Sequence, residues 1–154
     1  MRLRRAWTDL ARDEDGSSAL EFIVGGVILL VPLVYLIVAL GTIQGQALGV
    51  ETTARHLART VATSESAGSA DARSERVLDA LVAEYGLDPA AVSVSVSCVG
   101  DAPECPAAGE TLRVTVGARV ALPLVPPVLG LNESARVEVE STSVQKVSRY
   151  WGEP

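Results

Sequence analysis

Between Phe22 and Ile43 the chain carries no charged residue, and this 22-residue run limits what the molecule can be. A bilayer's hydrocarbon core is about 30 Å thick and is crossed by roughly 20 helical residues. The run is long enough to span it. A secretory signal fits poorly, because its apolar region is usually about 7–15 residues. Of 154 residues, those left over suffice for one small domain and not for two.

The flanks set an expected orientation. Before the run stand Arg2, Arg4, Arg5 and Arg12; beyond it the nearby basic residues are Arg55 and Arg59. Orientation follows basic residues, and acidic ones such as Asp9, Asp13, Glu14 and Asp15 count for little. Four against two predicts a cytoplasmic N-terminus and an extracytoplasmic C-terminal domain.

The apolar run does not stop as an isolated span would. Ala47, Val50, Ala54, Leu57, Ala58 and Val61 follow at helical spacing. One helix is therefore expected to cross the membrane and continue to about Ser64, with Gly68 and its neighbouring serines marking a break. Ser69 is the expected cap of a second helix, with Asp71 in its first turn. Val77, Leu78, Leu81, Val82 and Tyr85 make that helix's apolar face, and Gly86 and Pro89 stop it. The period then changes to two. Val92, Val94 and Val96 alternate with Ser93, Ser95 and Ser97. Leu112, Val114, Val116, Ala118, Val120 and Leu122 form a second alternating run. Val137 and Val139 begin a third, continuing weakly to Val144. These predict three strands in an antiparallel meander, with the helices as the only cover for its apolar face.

Composition excludes several functions. The net charge is −6, with acids scattered as on a solvated surface. No basic stripe interleaves with aromatics, so nucleic acid is not an expected partner. His56 is the only histidine, and Cys98 and Cys105 are the only cysteines. That is too little for a catalytic constellation or a metal centre, so neither an enzyme nor a cofactor is expected. His56, beside Arg55 on the outer half of the long helix, reads as a solvated residue. The cysteines flank a loop holding Gly100 and Pro103. In an external, oxidising compartment they suit a disulfide, the alternative being free buried thiols. A bridge closing so short a loop is worth roughly 2–3 kcal/mol in the chain-entropy model.

Where the polar leader meets the apolar run the sequence reads Gly16-Ser17-Ser18-Ala19-Leu20-Glu21-Phe22. Glycine can extend into a protease site without a side-chain clash. Glu21 heads an otherwise charge-free helix, where an unpaired acid is costly. The helix N-terminus favours a carboxylate there. Read alone, Glu21 is either such a functional acid or an interfacial residue ending the span.

This segment resembles the prepilin-peptidase signature: a glycine, four residues, then Glu and an aromatic. The resemblance implies cleavage between Gly16 and Ser17, making Glu21 the fifth mature residue and Phe22 the sixth. It also implies that Glu21 pairs with the new amine of an adjacent subunit. A mature chain beginning at Ser17, a span with Pro32 in mid-run and a small α+β domain resemble TadE-like minor pilins of tight-adherence pili. The specific likeness covers residues 16 to about 60. The Leu122-Pro123-Leu124-Val125-Pro126-Pro127 stretch, followed by Gly130, resembles the proline-rich turn that such chains carry before a last strand.

Gly41, Gly45 and Gly49 recur at four-residue spacing, a smooth stripe on which another helix can pack. The bland reading is a locally weak helix, since each glycine costs about 1 kcal/mol relative to alanine. Pro32 removes one helix hydrogen bond and can kink the span. Asn132-Glu133-Ser134 matches a glycosylation sequon that arises often by chance.

The expected fold is α+β: a long N-terminal transmembrane helix running into a small external domain with a second helix and about three antiparallel strands. The boundaries are a leader over 1–16, the long helix over 17–64 with its span at 22–43, and the external domain over 65–154. The expected function is pilus assembly, with a prepilin peptidase, other pilin or pseudopilin subunits and membrane lipid as partners. The alternative is an uncleaved, membrane-anchored extracytoplasmic binding module.

Overall fold

The computed structural model describes residues 14–100, 104–125 and 134–152, with side chains from residue 20 onward. Helix α1 spans Glu14–Ala62, with Pro32 inside it. Helix α2 spans Ala67–Glu84. A 3-10 turn at Pro89–Ala91 leads into strand β1, Val92–Val99. Strands β2, Thr111–Ala121, and β3, Arg136–Lys146, follow. The sheet order is β1-β2-β3 and both pairings are antiparallel, the expected meander. Two units can be described separately, residues 1–39 and 40–154.

The second unit is organised around β2. Leu112, Val114, Val116, Ala118 and Val120 point to one side of the sheet and are buried. Leu112, Val114, Val116 and Ala118 share a core with Val50, Ala54, Leu57, Ala58 and Val61 of α1. These α1 positions fall on one face at three- and four-residue steps, and the two alanines let the backbone come close. From α2, Ala70 and Val82 join the core, with Val77, Leu78 and Tyr85 packed against it. Thr53 is buried on the same α1 stripe, and its hydroxyl donates to the Gly49 carbonyl at 2.7 Å. That local bond removes the cost of burying it.

The start of α2 differs from expectation, whereas its end does not. The cap of α2 is Ser66, not Ser69. Ser69 is instead the third helical residue, and the two serines satisfy each other's backbone N–H in a capping box. A serine three residues past another serine reads equally well as cap or as N3. The helix consequently starts before Gly68, and Asp71 lies past its first turn. At the other end Gly86 has φ +61, the left-handed conformation that ends a helix at low cost in glycine.

The strands differ in how well they are covered. Val94 and Val96 face the same side as Val116 and Val114 but remain 40% and 46% exposed. The helices cover the central strand and leave the β1 edge half open. In β3, Val137 and Val139 begin on the helix side, but Val144 has the opposite parity and is exposed. Ser141 and Ser143 take its place and are half-buried. Across the outer face Thr115 and Thr142 hydroxyls bond at 2.9 Å.

The end of α1 is closed by the last described residues. The Ser148 N–H donates to the Ala62 carbonyl and the Gly152 N–H to the Glu65 carbonyl, each at 2.9 Å. Val147 is buried beside them, and its N–H donates to the Glu110 carbonyl at 2.8 Å. Carbonyls in the last helical turn have no partner within the helix, so this strap supplies one.

Burial separates two substitutions on the same sheet face. Leu112→Ala, at a fully buried position, is expected to cost about 2–5 kcal/mol. Val94→Ala is expected to cost well under half of that, because its side chain is already partly in water. Denaturant unfolding of both variants in micelles checks the order; equal losses would mean that β1 is covered as fully as β2.

Candidate functional site

The motif residues stand at the start of α1. Gly16 and Ser17 fall within its first turn, which begins at Glu14 rather than at the leader's expected end. The first N–H groups of a helix lack intrahelical partners, so opening that turn costs little. Glu21 is exposed, and among the described residues no cation stands within ion-pair distance of it. Phe22 is 82% exposed.

Beyond them, large apolar side chains from Ile23 to Leu40 are exposed around the helix. Only 6% of the apolar window in Leu20–Ala62 is buried within the chain. A helix apolar on all sides and uncovered by its own chain is a candidate membrane span. The character changes at Gly49 and Val50, which are buried; from there one face is buried and the other carries Arg55, His56 and Arg59. Arg55 forms an ion pair with Glu51 one turn back. His56 is exposed on this solvated face, as its spacing suggested.

The glycine stripe divides. At Gly49 a Cβ would meet Tyr85 Cβ and Cγ at 2.6 Å, so the chain's own α2 terminus occupies that face. At Gly41 and Gly45 no atom lies within 4 Å of the same position. Next to Tyr85, the Gln46 amide donates to the Gly86 carbonyl at 3.0 Å. Sequence spacing marked the three glycines as equivalent; the distant Tyr85 that separates them left no local signal.

Cys98 and Cys105 form a disulfide with Cα atoms 5.7 Å apart, closing the loop after β1. Among the described residues no group of three or more His, Cys, Asp or Glu stands close enough to hold a metal ion. Pro103, Pro126, Pro127, Gly130, Asn132 and Glu133 lie outside the described residues, as does most of the leader. Compared with protein-family models, curated proteins and solved structures, the chain has no match in any of the three.

The division of the stripe predicts opposite responses. Gly49→Ala must displace Tyr85 and is expected to destabilise the domain by about 1–3 kcal/mol through overpacking. Gly45→Ala, with open space around it, is expected to stabilise the helix by up to about 1 kcal/mol. Thermal unfolding followed by near-ultraviolet circular dichroism distinguishes them, and a neutral Gly49→Ala would contradict the packing.

Proposed function

We propose that this chain is a prepilin-type minor pilin or pseudopilin that takes part in assembling a type IV pilus of the tight-adherence kind. The observation that carries the reading is Gly16-x4-Glu21-Phe22, placed at the head of an exposed apolar helix. That the helix bearing this motif runs on without a break to supply residues of a packed α+β core also supports it.

In this reading residues 1–16 are a leader on the cytoplasmic side. A prepilin peptidase cuts between Gly16 and Ser17. The new amine then neutralises Glu21 of an adjacent subunit once both leave the headgroup layer, where an unpaired charge is costly. The arginine asymmetry places the sheet and the Cys98–Cys105 bridge outside the cytoplasm. The protein's work is mechanical, and its partners are the peptidase, other pilins and lipid. The competing reading is a permanently anchored external binding module, in which Glu21 only marks the end of the span.

Co-expression with a matching prepilin peptidase is expected to yield a chain starting at Ser17 by mass spectrometry, and Gly16→Leu to block the cut. Glu21→Gln is expected to leave the external domain folded and to reduce cross-linking to other pilins in membranes. An intact leader in every condition, or cross-linking and pilus output unchanged by Glu21→Gln, would favour the anchored module. Protease added to spheroplasts is expected to digest residues 44–154; full protection would reverse the orientation.

A further inference from the structure

We infer that the foot of the external domain, where α2 ends against α1, is a second membrane contact that holds a zwitterionic phospholipid with its ammonium group beside Glu84. The inference rests on the membrane-spanning reading above and adds to it a site on a different element.

The argument is one of depth. The continuous apolar run ends at Ile43, where the polar residues Gln44 and Gln46 follow. With a helical rise of about 1.5 Å per residue, Gln46 stands roughly 4.5 Å beyond Ile43 and Gly49 roughly 9 Å. The headgroup layer on each side of a bilayer is about 5–7 Å thick. The Gln46 amide holds the Gly86 carbonyl at 3.0 Å, and Tyr85 lies directly on Gly49. The Gln46 contact thus holds the end of α2 within the headgroup layer, and Tyr85, seated against Gly49 just beyond it, lines the same groove as Gly41 and Gly45 below. Tyrosine is enriched at this level, where its ring meets apolar chains and its hydroxyl meets water.

The space there is open and shaped for an occupant. A groove is lined by Gly41, Gly45, Leu48, Glu84 and Tyr85. Gly41 lies about 3 Å below the level of Ile43 and Gly45 about 3 Å above it, so the groove straddles the hydrocarbon boundary. Its floor is bare at both glycines, and Leu48 is 56% exposed at its upper wall. The upper part of an acyl chain fits the glycine floor, continuous with the exposed apolar surface of α1. The charged side chain at the rim is Glu84, and no Lys or Arg lines the groove. Asp88, just beyond the turn, has the same sign. This charge favours an ammonium headgroup and opposes a purely anionic one.

Site-directed spin labelling of the protein in vesicles tests this, with Ala83→Cys as the reporter because it is exposed and immediately precedes Glu84 in α2. Arg73→Cys, exposed near the other end of α2, is the water control, and Ile37→Cys, exposed within the run, is the hydrocarbon control. In phosphatidylethanolamine vesicles the ratio of oxygen to nickel-chelate accessibility at Ala83 is expected to lie between the two controls. In phosphatidylglycerol vesicles it is expected to shift toward Arg73, and Glu84→Gln is expected to abolish that lipid difference. A label at Ala83 as wet as Arg73, with Ile37 in hydrocarbon, overturns the foot contact while the span stands. A wet Ile37 overturns both. Lipid-independent depth at Ala83 refutes the headgroup assignment. Dipolar broadening there in every lipid would mean that another subunit's helix, not a lipid, fills the groove.

Discussion

Where Val50, Ala54, Leu57, Ala58 and Val61 of α1 lie over the buried row of β2, the external domain acquires its core. Each fully buried valine or leucine contributes about 1.5–3 kcal/mol. The rest of the domain depends on this seam. β1 and β3 are placed by pairing with β2, and α2 is placed by joining the same cluster. With only 4% aromatic residues, the core has few large side chains to interlock, so it relies on close approach. Ala54, Ala58 and Ala118 permit that approach, and bulkier residues there would force the layers apart.

The helix changes character along its length, and its sequence shows the transition. Up to Leu40 its large apolar residues are exposed apart from half-buried Tyr35, and Ala39 is buried; from Gly49 it is buried on one side and charged on the other. An all-round apolar helix has no reason to choose a face, whereas the outer half is fixed in rotation by the sheet. α1 is thereby a candidate membrane span for one part of its length and a core element for the other.

Much of the fold was legible because local chemistry specified it. Alternating valines announced β1 and β2, and Gly86 followed by Pro89 announced the end of α2. Cys98 and Cys105 were the only possible disulfide partners within the chain. What escaped the sequence depended on residues far apart. Nothing near Gly49 signals that Tyr85 will fill its face. The two serines of the capping box offered two equally good starts. β3 looked weak because serines replace valines at its helix-side positions, and pairing with β2 carries it through to Lys146. The strap at 147–152 has no period at all, since it contributes three backbone N–H groups and two isolated apolar side chains, Val147 and Trp151. Of the candidate site, residue types and order were readable, whereas the open and closed parts of the glycine stripe required coordinates.

That strap has a bearing on the order of events during synthesis. The carbonyls of Ala62 and Glu65 are made early, but their donors are Ser148 and Gly152. β2, likewise, lacks a neighbour on one side until Arg136–Lys146 has been made. Until those residues exist, the earlier part of the domain has its helix end unsealed and its central strand half paired. Closure of the domain is therefore a late event in its synthesis, set by the segment that follows β2 rather than by the helix that precedes it.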